Sequence, residues 1–389
     1  MQTETVSVHG GKKRLFYIDN IRIFLTILVV LHHTAIGYGG SGDWIIIERP
    51  TDSISPVFLT LFNALNQSFF MSLFFLLSGF FVPGALDKKG VPIFIKDRLI
   101  RLGIPILVFA FIISKFVDYL ILNYTRGRVV TFYQVFSYQF KHPSFNTGPL
   151  WFLEALLLFT FVYMSCRLFA DRFLKKQIPS PFNNSFPSVR SISISIAAIA
   201  FGTYIVRIWF PVGVQVYHFQ VGHYVHYIFC FWLGILSYRG KWLDHLTREN
   251  SNLWKKTAIV ATIVLPLFFV LIMAAGYTIE DCLGGGSWLS FVTATWESVS
   301  CLSISIWLLY IFKSRINTQE GWARSMSPNA YTVYIIHQPV VGVVMVFLLG
   351  IALPSILKFF IVALVCIPLC FLISHFVFRK IPYGKRVLG

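Results

Sequence analysis

Residues 18–37 read Ile-Asp-Asn-Ile-Arg-Ile-Phe-Leu-Thr-Ile-Leu-Val-Val-Leu-His-His-Thr-Ala-Ile-Gly, and this stretch decides the fold. It is long enough to cross a membrane as one helix, because about 30 Å of hydrocarbon takes about 20 helical residues. Lys12, Lys13 and Arg14 precede it, as they would in a signal peptide. No small-residue cleavage site follows Ile36, and Arg22 interrupts the apolar run early, so it reads as an uncleaved first span.

Outward from this stretch the pattern repeats. Similar runs at 57–83, 102–122, 149–170, 191–212, 222–238, 257–277, 289–312, 329–349 and 353–378 predict about ten transmembrane helices in all. Pro83-Gly84, Gly148-Pro149, Pro211 and Pro354 mark expected helix ends. The chain is 56% hydrophobic and 13% charged, where a soluble domain carries about 25% charged residues. The expected fold is therefore all-α, a polytopic integral membrane bundle. One transmembrane domain, 18–378, lies between cytoplasmic tails at 1–17 and 379–389.

A net charge of +17 invites a nucleic-acid reading, but the basic residues sit between the apolar runs rather than in one patch. With the N-terminus inside, every inside segment carries at least three Lys or Arg, from Lys12, Lys13 and Arg14 through Lys88 and Lys89 to Arg379 and Lys380. The outside segments hold only Arg49, Arg126, Arg128, Lys141 and Arg207, while Lys115 and Lys358 fall within spans. This alternation follows the positive-inside rule and puts both termini in the cytoplasm. The six cysteines show no zinc or redox spacing, so neither a metal nor a disulfide framework is expected. Residues 175–188 read as a cytoplasmic loop. The longest outside loop, 123–147, carries Phe132, Tyr133, Phe136, Tyr138 and Phe140, which suggests an interfacial element.

Polar groups inside the spans are the functional candidates, since each ionisable side chain costs about 2.5–3.5 kcal/mol to insert. Arg22 and His33 are eleven residues apart. At 100° per residue that is about 20° from whole turns, so they share one helix face with a rise of about 16 Å. His32 points about 100° away. A cation near the cytoplasm suits a phosphate and a base deeper in suits chemistry; a snorkelling arginine and a bundle-satisfied histidine fit the same spacing. Arg98 and Arg101 are an i, i+3 pair whose planar forks suit a pyrophosphate, or plain positive-inside signalling. Glu154, by helix rise, lies at a depth similar to His33 and could orient its ring. His337, just before Pro339, falls about 12 Å into the ninth span. Asn63, Asn66, Gln67 and Ser68 form a polar stripe. Lys115 and Asp118 suit mutual neutralisation. His218, His223 and His226 cluster near an outside boundary, and Glu297 and His375 carry no reading of their own.

Four stretches together carry a resemblance: Ile18-Asp-Asn-x-Arg22 with Arg22-x10-His33; Phe70 to Gly84 leading to Arg98-x-x-Arg101; Pro149-Leu-Trp-Phe-Leu153; and Tyr331-x-x-Tyr334-x-x-His337-x-Pro339. In this order the chain resembles the acyltransferase 3 family, over roughly residues 15–378. The resemblance implies a ten-helix bundle that moves an acyl group from acyl-CoA to a hydroxyl, usually of a sugar, with Arg22, His33, Arg98 and Arg101 as its essential residues. Many O-antigen acetylases of the family carry a further esterase-like domain that this sequence does not show, and its compact form is similar to the glucan succinyltransferases.

The expected mechanism has Arg98, Arg101 and Arg22 binding acyl-CoA, as acetyl-CoA or succinyl-CoA, through its phosphates. His33, oriented by Glu154, deprotonates the acceptor hydroxyl, with His337, Tyr334 or Asn66 at the oxyanion. A covalent acyl-histidine is the alternative path. The expected partners are acyl-CoA, a carbohydrate or glycolipid acceptor of the cell envelope and the lipid bilayer, with room for a homo-oligomer and none for nucleic acid. No cofactor is expected to stay bound. In a bacterium the location would be the inner membrane. The rival reading is a transporter or flippase for a lipid-linked sugar or anionic solute, although no internal repeat is visible.

Overall fold

A chain this apolar must satisfy its backbone polar groups within each crossing segment, and helices do so. The computed structural model describes residues 14–142, 144–174, 184–382 and 384–388. Among them the only strand-like pairing is an isolated bridge between Val216 and Phe219. The long helices are α1 (Phe16–Gly37), α2 (Ile54–Lys89) and α3 (Val91–Thr125), then, after the short α4 (Phe132–Lys141), α5 (Gly148–Phe173) and α6 (Val189–Trp209). α7 (Tyr224–Arg239), α8 (Arg248–Ala274), α9 (Trp288–Arg315), α10 (Gly321–Leu348) and α11 (Ser355–Lys380) complete the bundle.

Nine of these, all but α4 and α7, are long and apolar enough to cross a membrane among the described residues. The sixth expected span is α7, a helix of 16 residues, below the usual crossing length. It is held inside the bundle against α2 by two glycines. A Cβ on Gly79 would stand 2.1 Å from the carbonyl oxygen of Phe231, and one on Gly234 would stand 2.1 Å from that of Leu76. The two backbones therefore touch, the close approach that small residues allow between membrane helices.

Pro83-Gly84 does not end α2, as expected, because the helix runs through Pro83 to Lys89. Gly84 is packed under the Tyr238 ring, where a Cβ would lie 2.4 Å from the hydroxyl. The chain turns instead at Gly90, whose φ of +71° suits glycine. α3 consequently starts at Val91 rather than near 102, so Arg98 and Arg101 lie inside a helix and not at its tip. α3 contains three π-helical stretches, Leu99–Gly103, Phe109–Ile113 and Ile121–Thr125.

α1 is central, with Ile18, Ile21 and Leu25 fully buried. At one end of the bundle, Asn20 donates to the carbonyls of Ile316 (2.7 Å) and Thr318 (3.0 Å), tying α1 to the α9–α10 link. At the same end Asp87 of α2 pairs with Arg167 of α5 (3.2 Å) and Arg239 of α7 (2.9 Å). We call this the basic end. α8, by contrast, presents Ile263, Leu267, Val270 and Leu271 outward, the apolar surface that lipid requires. α4 opens with a capping box between Thr131 and Gln134 and exposes Tyr133, Tyr138 and Phe140. Lys115 pairs with Asp118 at 2.8 Å, as the spacing predicts. Of the expected cytoplasmic segments, residues 1–13 and 175–183 lie outside the described residues.

Candidate active site

α1 carries the first site residues, and the loop after it covers them. His33 lines a cavity of about 610 Å³. Its ring lies nearly parallel to those of Trp44 (centroids 4.1 Å, 16°) and His337 (5.2 Å, 21°), and Trp44 and His337 are themselves 6.0 Å apart. His32 turns to Phe70 at 4.9 Å. Trp44 reaches this position because the loop at 38–53 is pinned down. Buried Lys358 of α11 donates to Glu48 at 2.6 Å, and Thr125 donates to the Ile45 carbonyl at 3.3 Å.

His337 packs behind His33 and does not itself line the cavity. Its Nδ1 is 2.6 Å from the backbone carbonyl of Tyr334, which can only accept. Nδ1 thus carries the proton and Nε2 the lone pair in the neutral ring, and that Nε2 is buried without a partner among the described residues. Nδ1 of His33 is also buried, with no partner among the described residues. The start of α5 closes on the same place. Tyr334 donates to the Pro149 carbonyl, and Gly148, at φ +48°, lets the chain pass within contact of Gln338.

The three predicted arginines gather at the basic end, apart from the cavity. Arg22 lies 3.6 Å from Asp19 and over the Phe81 ring at 4.7 Å. Arg98 covers Phe94 at 5.0 Å and is within electrostatic range of Arg101, Arg22 and Tyr331. Neither Arg98 nor Arg101 has an ion-pair partner among the described residues. Tyr331 donates to the Arg101 carbonyl at 2.5 Å. Tyr331, Tyr334 and His337 follow at three-residue steps along α10, from the arginines to the His33 cluster. The cavity's loop residues, among them Ser41, Asp43, Asn146, Gln215 and Leu283, come from the links at the opposite end, so it opens away from the basic end.

The family described as an acyltransferase domain, acyltransferase 3, matches residues 15–375. The chain belongs to the acyltransferase 3 family. It is an integral, multi-pass membrane acyltransferase. It is similar to the glucans biosynthesis protein C of Escherichia coli K12, 24% identical over 343 residues, which covers 84% of this chain and 82% of that protein. The protein of the same name from E. coli O6:K15:H31 is 24% identical over 344 residues, with the same coverage. No solved structure matches the chain.

Within this acyltransferase 3 fold, one expected pair is not formed. Glu154 does not meet His33; its carboxylate is 2.7 Å from Nε2 of His218. Trp44 covers a face of His33 and His337 packs beside it, and the link between α6 and α7 brings His218 over the first turn of α5. The oxyanion candidates also change. The Tyr334 hydroxyl is engaged by Pro149, and Asn66 does not line the cavity. Trp44 does line it, and its indole N–H is buried without a partner among the described residues.

Sequence reasoning missed a second polar group in the cavity wall. Arg207 of α6, fully buried, contacts Glu297 of α9 at 2.6 Å. The charge alternation along the sequence places Arg207 with the outside segments. The available signal was one cation and one carboxylate, each near or within an apolar span, a combination that calls for a partner. Trp44 has a fainter signal, the apolar run Trp44-Ile-Ile-Ile47 in the link between two spans.

Proposed function

We propose that this acyltransferase takes an acetyl or succinyl group from acyl-CoA on the cytoplasmic side of an inner membrane and places it on a hydroxyl of a carbohydrate or glycolipid. The observation that carries the reading is His33, set in the wall of a large cavity with His337 and Trp44 stacked around it. The name of the E. coli relatives, glucans biosynthesis protein C, supports a sugar acceptor.

Arg98, Arg101 and Arg22 bind the phosphates of CoA, because guanidinium forks match phosphate oxygens. The thioester arm runs along α1, since Arg22 and His33 are about 16 Å apart on one face. The bonds from Tyr331 to Arg101 and from Tyr334 to Pro149 lie along this path and open for it. The acceptor enters from the other end through the cavity. Nε2 of His33 takes the hydroxyl proton as the oxygen attacks the thioester carbonyl. The tetrahedral oxyanion is met by the Trp44 indole N–H, then collapses, and the thiolate leaves with the proton from His33. His337 acts through His33, by holding its ring. Glu154 acts at the mouth by fixing His218.

The test uses the purified chain in lipid nanodiscs with acetyl-CoA or succinyl-CoA and a glucose oligosaccharide. Transfer should be seen with one donor. His33→Ala should lower kcat by at least about 10²-fold, and Arg98→Ala should raise the donor KM. Folded protein that binds neither donor would overturn the reading.

A further inference from the structure

The cavity wall has a second cluster that this mechanism does not use. Arg207 is 0% exposed. Its Nη2 lies 2.6 Å from Oε2 of Glu297 and 3.3 Å from Nδ1 of His223, and its Nε donates to the Gly222 carbonyl at 3.1 Å. A buried ion pair gives up much hydration, and replacing such pairs by apolar residues often costs nothing or stabilises. Inside a membrane it points to function more than to stability. The pair also belongs to the wall of the main cavity, because Glu297 and His223 both line it.

Hydrogen-bond chemistry fixes what this wall offers. A guanidinium only donates, so Nδ1 of His223 must accept from Arg207 and Nε2 carries the proton. One arginine thus holds a carboxylate acceptor and an imidazole donor side by side. Gln67, whose amide donates to the Tyr227 hydroxyl at 2.9 Å, lines the same cavity and adds a carbonyl acceptor. Trp151 and Tyr227 line the same cavity with rings 5.4 Å apart. Donor and acceptor pairs beside aromatic faces match a sugar, whose hydroxyls both donate and accept and whose C–H faces pack on rings. A cavity of about 610 Å³ is within the usual range for a bound small molecule.

We propose that Glu297 and His223 hold two neighbouring hydroxyls of the acceptor sugar, with Trp151 and Tyr227 against its ring and Arg207 as the positioning residue behind both. This rests on the reading that the acceptor is a carbohydrate. One hydroxyl donates to the Glu297 carboxylate and its neighbour accepts from Nε2–H of His223. The site therefore selects sugars with adjacent free hydroxyls and presents a further hydroxyl to His33.

The experiment measures acceptor and donor KM separately for the full chain in nanodiscs, with a glucose oligosaccharide and the acyl-CoA that supports transfer. Glu297→Gln should raise the acceptor KM about tenfold or more, the worth of a charge-assisted hydrogen bond, while the donor KM stays within about twofold. His223→Leu, which leaves the Arg207–Glu297 pair intact, should do the same and guards against a misfolded Glu297 variant. Monodeoxy oligosaccharides supply the substrate half of the cycle. One of them should bind the parent protein as weakly as the full sugar binds Glu297→Gln, with no further loss in that variant. Unchanged acceptor KM in both variants, or losses that simply add for every deoxy sugar, would overturn the proposal. Wild-type protein that moves an acyl group to water but to no sugar would overturn it together with the acceptor reading.

Discussion

His33 shows how far one residue can be read. Its face on α1 follows from helix geometry, and Arg22 shares that face. Its neighbours do not follow. The Trp44 ring at 4.1 Å arrives from a loop pinned by Lys358 and Glu48, more than 300 residues apart in the chain. Trp44→Phe keeps a ring against His33 and removes the indole donor. If that donor serves the oxyanion, kcat should fall about 10²-fold with little change in either KM; an unaltered kcat would place the donor elsewhere. Glu154 teaches the opposite lesson. Its depth in the membrane was legible from the fourth span, but its partner is His218 rather than His33. Depth is a one-dimensional quantity, while pairing depends on which helix faces which.

At the scale of elements, the apolar runs predicted ten of the long helices to within a few residues at most ends. One misplaced end has a packing cause. Pro83-Gly84 reads as an end because proline lacks an N–H and glycine favours turns. Both are tolerated inside α2 because α7 packs directly on that helix, through Gly79, Gly84 and Gly234. Gly79→Ala and Gly234→Ala should each destabilise the protein by about 1–3 kcal/mol, because the new methyl meets a backbone carbonyl that cannot swing away. Gly103→Ala is the control, since nothing lies within 4 Å of a Cβ there. Thermal unfolding in detergent should show lower midpoints for the first two and no loss for the third. Equal midpoints for all three would show that the α2–α7 contact does not limit stability.

Across the whole molecule, the proposed mechanism divides function between two ends. Arg98 and Arg101, without ion-pair partners among the described residues, lie at the basic end, and the cavity opens at the other. The charge alternation along the sequence predicts that the basic end faces the cytoplasm. Cysteines introduced in a Cys166→Ser background test this. Asp43→Cys, exposed at the cavity lip, should react with a membrane-impermeant maleimide in intact cells. Lys88→Cys, exposed at the basic end, should react only after permeabilisation, and the reverse pattern would invert the topology. The sequence by itself determined that the chain is a membrane bundle, the order of its helices, the expected sidedness and the shared face of Arg22 and His33. All of these depend on local rules: helix rise, the thickness of hydrocarbon, and the charge of short links. Only the tertiary structure decided that His337 packs beside His33, that Trp44 folds over both, that Glu154 belongs to His218, and that Arg207 backs Glu297 of the cavity wall. In lipid each helix satisfies its own backbone, so its sequence says little about its neighbours. Those contacts are set by side-chain packing between segments far apart in the chain.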